Sequence, residues 1–140
     1  MEPVIDLSDD PDPEAAAVIA RGLGAFNEER SGTSDRRALS IVVRDPSTGK
    51  PLGGLTGRTS LGMLLIDVFY LPEICRGRGL GSRLLGLAED EARRRGCGSG
   101  VLYTISFQAP GFYERHGWRA FGEIPCDPPG TRRIFMTKEL

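Results

Sequence analysis

Apolar residues recur along the chain with two spacings, and these predict the order of its strands and helices. Alternating apolar positions are typical of strands, and apolar positions three or four residues apart are typical of helices. Strands are predicted at residues 3–7, 38–44, 51–58, 61–71, 100–107, 118–123 and 133–138. Helices are predicted at residues 14–29, 81–95 and 109–116, with Gly22 and Gly24 breaking the first of them. The order β-α-β-β-β-α-β-α-β-β predicts one mixed α/β domain over residues 1–140, in which strand 61–71 is central.

The helix at residues 81–95 has the clearest pattern in the chain. Its apolar face consists of Leu80, Leu84, Leu85, Ala88 and Ala92. Acidic and basic side chains follow each other at i,i+4, which predicts the ion pairs Glu89–Arg93, Asp90–Arg94 and Glu91–Arg95. The pattern therefore predicts a helix with one face in the core and a charged face in water.

Composition excludes several classes of protein. Hydrophobic residues make up 39% and charged residues 26% of the chain, and the net charge is −1. These values predict a soluble protein and argue against nucleic acid as a partner. The N-terminal stretch is acidic and no apolar run is long enough to span a membrane, so we expect neither a signal peptide nor a membrane partner. The three cysteines lack C-x-x-C spacing, which favours free thiols in the cytoplasm and no metal site.

A glycine-rich turn with three arginines joins strand 61–71 to helix 81–95. Arg76, Arg78 and Arg83 surround this turn. Glycines admit close approach, and a helix N-terminus offers unpaired N–H groups, so the turn is expected to bind an anion. A Walker A loop is excluded because no Gly-Lys pair follows, and a Rossmann fingerprint because Ser82 occupies the position of its third glycine. The remaining alternative is a turn that only packs a strand against a helix.

The spacing Arg76-x-x-Gly79-x-Gly81 resembles the acetyl-CoA signature of the GNAT superfamily of N-acetyltransferases. Residues 106–118 resemble that family's second motif, A-x-x-F-Y-x-x-x-G-[FW], through Ala109, Phe112, Tyr113, Gly117 and Trp118. The resemblance implies a single acetyl-CoA-binding domain with a mixed, mostly antiparallel sheet flanked by helices. It also implies transfer of an acetyl group from acetyl-CoA to a primary amine of a small molecule or peptide, by direct attack on the thioester.

The resemblance also assigns site residues. Tyr113 is expected to protonate the leaving thiolate, and Asp67 to deprotonate the amine, directly or through water. The residues expected to bind acetyl-CoA are Phe69, Leu71, Arg76, Gly77, Arg78, Gly79, Leu80, Gly81, Ser82, Gln108 and Phe112. The alternative for Tyr113 is a core tyrosine beside Phe112. The alternatives for Asp67 are an outward-facing residue on the pleat, or an ion pair with a strand neighbour such as Arg58.

On the acceptor side the resemblance implies that the first helix, with Phe26 and Asn27, and the loop at residues 124–132 flank the substrate. Homodimers are common in the family. His116 is the sole histidine, and its position at a helix end favours a C-terminal cap over a catalytic role. A non-catalytic acyl-CoA sensor is the alternative function, and a different acyl donor or an O-acceptor is a further one.

Overall fold

The computed structural model describes residues 1–140, which form two compact units, Met1–Asp35 and Arg36–Leu140. The first unit contains one helix, α1 (Pro13–Ser31). Its first twelve residues form no strand, so the strand predicted at residues 3–7 is wrong. The alternation of Val4, Ile5 and Leu7 covers only a few residues. A strand also needs a neighbouring strand to accept its hydrogen bonds, and the alternation alone does not supply one. The prediction of one domain over the whole chain stays a prediction.

Helix α1 is continuous, so the predicted break at Gly22 and Gly24 is also wrong. At its start, the Asp12 carboxylate accepts the backbone N–H groups of Glu14 and Ala15 at 2.9 and 3.3 Å. At its end, Gly32 adopts a left-handed conformation and donates its N–H to the Glu28 carbonyl. Each internal glycine costs a helix only about 1 kcal/mol relative to alanine, and capping at both ends offsets part of that cost.

The second unit is a six-stranded sheet with two helices. Its strands are β1 (Arg36–Arg44), β2 (Pro51–Ser60), β3 (Met63–Tyr70), β4 (Ser99–Ile105), β5 (Arg119–Cys126) and β6 (Thr131–Glu139). A short 3₁₀ turn (Glu73–Cys75) and helix α2 (Leu80–Arg94) follow β3, and helix α3 (Pro110–Arg115) follows β4. From α1 onward the order of elements is the predicted one. The loop expected at residues 124–132 is shorter than predicted, because β5 and β6 extend into it and leave only residues 127–130 between them.

The strands are arranged in the order β1-β2-β3-β4-β6-β5, so β3 is central as predicted. All neighbours are antiparallel except β3 and β4, which run parallel. A two-residue turn, Leu61–Gly62, links β2 to β3, and both residues have positive φ, as a type I′ hairpin requires. The antiparallel pairs each extend over seven or more positions, whereas the parallel strands β3 and β4 pair over only three.

Helix α2 contributes one face to the core of this unit, and the strands contribute most of the remaining core residues. Its apolar face packs against β1, β2 and β3, with Leu84, Leu85, Ala88 and Ala92 buried. A buried leucine contributes about 1.5–3 kcal/mol relative to an exposed one. The predicted apolar face is therefore confirmed except at Leu80, which is only partly buried.

The charged face of α2 differs from the prediction in two ways. Arg93 pairs with both Glu89 and Asp90, and Arg94 pairs with Glu91, so the predicted Asp90–Arg94 pair is wrong. Both i,i+3 and i,i+4 positions are neighbours on a helix. Asp90 and Arg94 each pair with an i,i+3 neighbour instead of with each other. The predicted Glu91–Arg95 pair forms at 2.8 Å, and its hydrogen bond, chiefly, lowers the pKa of the Glu91 carboxyl.

Glu89 is buried, although its sequence position suggested a solvated ion pair. Its carboxylate accepts hydrogen bonds from Lys138 Nζ at 2.6 Å and from the Trp118 indole N–H at 3.2 Å. The two partners are 49 and 29 positions further along the chain, so no local pattern identifies them. Glu89 thus connects α2 to β6 and to the start of β5.

Candidate active site

The parallel strands β3 and β4 separate soon after they meet. They pair only from Met63–Leu65 to Ser99–Val101. Beyond this point the backbone groups of β3 that face β4 have no strand partner, and a cavity of about 730 Å³ opens between the two strands. An unpaired strand edge can accept an extended ligand by main-chain hydrogen bonds. The cavity is bounded by the end of β3, the glycine turn, the start of α2 and helix α3.

The glycine turn gives this cavity an uncapped helix N-terminus. Gly77 and Gly79 have φ of 75° and 73°, a left-handed conformation that glycine adopts without strain. Gly79 is the N-cap of α2 and has no side chain to accept the first N–H groups, and the first turn contains no acidic residue. The first N–H groups of α2 therefore face outward without an intrahelical partner, which makes the turn suited to an anion.

The arginines of the turn occupy different environments. Arg76 lines the cavity, and its Nε donates to the Leu71 carbonyl at 3.0 Å, which closes the turn. Arg78 is exposed and, alone among the residues predicted to contact acetyl-CoA, does not line the cavity. Arg115 of α3 lines it instead. The positive charge at the cavity thus comes from two sequence motifs rather than from the glycine turn alone.

Tyr113 lies on α3 and lines the same cavity. Its ring makes edge contacts with Phe69, Phe112 and Trp118, at centroid distances of 6.4, 5.2 and 6.4 Å. Burial raises the pKa of the phenol to about 12, because an apolar environment disfavours the phenolate. The Tyr113 hydroxyl therefore stays protonated at neutral pH and can donate a hydrogen bond into the cavity.

Gln108 has a fixed amide orientation. Its side-chain oxygen accepts the Ile105 backbone N–H at 2.9 Å and the Thr104 hydroxyl at 3.2 Å. Only the amide oxygen can accept from a backbone N–H, so the geometry assigns which end is the NH₂ group. That NH₂ group remains available as a donor at the cavity that Gln108 lines.

His116 caps the C-terminal end of α3, as its position predicted. Its ring packs on Phe112 at 4.6 Å between centroids. Nδ1 lies 2.8 Å from the Phe112 carbonyl oxygen, and Nε2 lies 2.9 Å from the Ser82 hydroxyl on α2. The sequence gives no signal for the second contact, because the two residues are 34 positions apart.

Besides Arg78, the predicted site residue of the second unit that does not line the cavity is Asp67. Asp67 is exposed and sits at a β-bulge, since Ile66 pairs with Gly57 and Val68 with Thr56. Phe26 and Asn27 belong to α1 in the first unit, where the Phe26 ring contacts Arg30 at 5.2 Å. Their roles in the reaction stay predictions.

The cavity also contains residues that the sequence motifs did not identify. They are Tyr70, Cys75, Thr104, Phe107 and Arg115. Most of them lie at or just after the ends of β3 and β4, so knowing where these two strands separate would have identified them.

All three cysteines of the chain are free thiols. None of the helices has the length and apolar character that crossing a membrane requires.

Comparison with known proteins agrees with this geometry. The sequence model of the acetyltransferase (GNAT) family matches residues 4–118. An acetyltransferase of Agrobacterium fabrum is 40% identical over 134 residues, which cover 96% of this chain and 97% of that protein. The blasticidin-S acetyltransferase of Streptomyces morookaense is 43% identical over 93 residues, which cover 66% of this chain and 68% of that protein.

A solved structure gives the same result for the fold. The crystal structure of a protein from Agrobacterium tumefaciens, described as an acetyltransferase, superposes with a TM-score of 0.86 and 36% sequence identity. The match covers 98% of this chain and 99% of that one. The two chains therefore share the same fold.

Proposed function

Because the chain belongs to the acetyltransferase (GNAT) family, whose members use acetyl-CoA, we propose that it transfers an acetyl group to a primary amine. The acceptor is a small molecule or a peptide, and the amine attacks the thioester directly. The observation that carries this proposal is one cavity bounded by both the uncapped N-terminus of α2 and the protonated Tyr113 hydroxyl. A binding module needs only the first of these groups, whereas acyl transfer uses both.

In this proposal the chain binds acetyl-CoA through three sets of groups. The first N–H groups of α2 and the Arg76 guanidinium receive the pyrophosphate, since N–H donors at a helix start favour negative charge. The Gln108 NH₂ group donates to the pantetheine arm. The free backbone edge of β3 at Phe69 and Leu71 runs beside that arm, and one N–H there polarises the thioester carbonyl.

Acetyl-CoA supplies an acyl group that is already activated as a thioester. Transfer forms a C–N bond and breaks the C–S bond, and two protons move. Tyr113 donates to the leaving sulfur, and solvent restores its proton. Asp67, or a water beside it, accepts the proton from the amine. Because thiols have an ordinary pKa near 8.5, the sulfur is already a fair leaving group, so the Tyr113 donor adds about a hundredfold in rate.

The acceptor side of the proposal is less specific. A relative that acetylates blasticidin S supports a small-molecule amine, and a peptide amine remains an alternative. Phe26 and Asn27 are proposed to flank the acceptor. We also propose that the protein forms a homodimer, because homodimers are common in the family. A cytoplasmic location is proposed because the three free cysteines suit a reducing compartment.

An acceptor screen tests the proposal. The protein is mixed with acetyl-CoA and with polyamines, aminoglycosides, blasticidin S, amino acids or lysine peptides, and release of free CoA thiol is followed. We expect release with at least one amine and loss of most of it in Tyr113→Phe. Binding of acetyl-CoA without release for any amine would instead support the acyl-CoA sensor.

A further inference from the structure

His116 connects α3 to α2, two of the elements that bound the cavity. Its Nδ1 approaches the Phe112 carbonyl oxygen at 2.8 Å and its Nε2 approaches the Ser82 hydroxyl at 2.9 Å. Ser82 lies in the first turn of α2 and lines the cavity. The one histidine of the chain thus contacts the predicted pyrophosphate site through a single hydroxyl.

The partners fix where the ring carries its proton. A carbonyl oxygen can only accept, so Nδ1 must be the N–H that donates to Phe112. In the neutral ring Nε2 is then a lone pair, and it accepts the hydrogen of the Ser82 hydroxyl. In this state Ser82 presents only lone pairs to the cavity, and lone pairs repel a phosphate oxygen.

The charges around His116 come from each element that contacts it. Lys138 of β6 donates from Nζ to the His116 carbonyl oxygen at 2.7 Å, and Glu89 of α2 holds the same Nζ at 2.6 Å. Arg115 precedes His116 on α3 and lines the cavity. Glu89 pairs with both Lys138 and Arg93, and Lys138 also holds the backbone carbonyl of His116. These charges are present with and without a ligand, whereas the charge of a pyrophosphate arrives only when it binds.

We propose that His116 positions the Ser82 hydroxyl for acetyl-CoA and takes up one proton from solvent at Nε2 when the pyrophosphate binds. The protonated ring then donates from Nε2 to Ser82 Oγ, and the Ser82 hydrogen turns toward a phosphate oxygen. This inference rests on the proposed function because it requires the pyrophosphate at the start of α2. His116 is a positioning residue here, since it acts through Ser82.

Nuclear magnetic resonance tests the starting state without any variant. One histidine gives one set of ring ¹⁵N signals, so the assignment is unambiguous. In the free protein at a pH where the ring is neutral, we expect the proton on Nδ1. With CoA added at the same pH, both ring nitrogens should carry protons. A free ring protonated on Nε2, or a ring that stays neutral in the complex, would overturn the proposal.

Calorimetry with CoA, which binds but transfers nothing, tests the coupling. Titrations at one pH in buffers of different ionisation enthalpy report the protons taken up on binding. Wild type should take up a proton that His116→Gln does not, and its dissociation constant should rise more steeply with pH than that of His116→Gln, by up to about a further tenfold per unit. Gln keeps an acceptor at the position of Nε2, so packing is largely retained.

Ser82→Ala is the matched control for the route through the hydroxyl. If the relay operates, Ser82→Ala loses the extra proton uptake, and the double variant binds CoA no more weakly than either single variant. Proton uptake that persists in Ser82→Ala would mean that the ring responds only to the ligand's charge, and would overturn the relay. Failure of CoA to bind wild type would overturn the proposed function as well, whereas binding without proton uptake overturns this inference alone.

Discussion

The first backbone N–H groups of helices α1 and α2 both lack an acceptor within the helix, and the two helices differ in how these groups are satisfied. In α1 the Asp12 carboxylate accepts the Glu14 and Ala15 N–H groups, and Glu14 adds an acid to the first turn. In α2 the N-cap is Gly79, which has no side chain, and the first turn has no acid. Replacing a side-chain cap by glycine costs a helix only about a few tenths of a kcal/mol. The glycine cap therefore leaves the N–H groups of α2 open to an anion at little cost in stability.

The strongest test gives α2 the kind of start that α1 has. Gly79→Asp places a carboxylate at the cap, in a left-handed conformation that Asp tolerates and with no atom near the new Cβ. Two unit charges 4 Å apart repel by about 4 kcal/mol at an effective dielectric constant of 20. We therefore expect CoA to bind at least about a hundredfold more weakly, as measured by calorimetry.

Gly79→Asn is the control, because it has the same shape and backbone strain but no charge. CoA should bind it much more tightly than Gly79→Asp. Both variants should keep the far-ultraviolet circular dichroism of wild type. Equal affinities of Gly79→Asp and wild type would show that the start of α2 does not hold the pyrophosphate.

Removing the Tyr113 hydroxyl tests whether binding and chemistry are separate at this cavity. Tyr113→Phe keeps the ring contacts with Phe69 and Phe112 but loses the donor. We expect kcat to fall about a hundredfold, with the dissociation constant of acetyl-CoA unchanged. An unchanged kcat on the identified acceptor would remove Tyr113 from the mechanism, and a weakened affinity would assign it to binding.

The pH dependence of stability reports the same hydroxyl. The folded chain keeps the Tyr113 proton up to about pH 12, whereas the unfolded chain releases it near the ordinary pKa of 10. The contribution of the Tyr113 hydroxyl to the free energy of unfolding is therefore fully present below pH 10. It is lost as the pH rises toward 12, by up to about 1.4 kcal/mol per pH unit. Urea unfolding above and below pH 10 should show this loss in wild type and a smaller one in Tyr113→Phe.

Local patterns predicted the elements of this chain better than its long-range contacts. The face of α2, the glycine turn and the second motif depend on residues a few positions apart, and the structure brings them to one cavity. Glu89 and Lys138 are 49 positions apart and His116 and Ser82 are 34 apart. Such pairs depend on how the strands are arranged, which the spacing of apolar residues does not encode.

The errors in the first unit have a different cause. Residues 3–7 alternate as a strand does, but pairing depends on a partner strand. Gly22 and Gly24 lower the helix propensity of α1, but the caps Asp12 and Gly32 set its actual ends. In each case a property of one residue was outweighed by its neighbours in space.

The smallest expected effect comes from removing the side-chain cap of α1. No residue of α1 is buried, so the helix depends on local terms such as the Asp12 cap. Asp12→Ala should lower its stability by about 1 kcal/mol, which corresponds to about fivefold faster hydrogen exchange of its amides. Asp12→Asn keeps a good cap and should exchange as wild type does. CoA affinity should be unchanged in both variants, because no residue of α1 lines the cavity proposed to bind CoA. A change in affinity would contradict the contrast between the two helix starts.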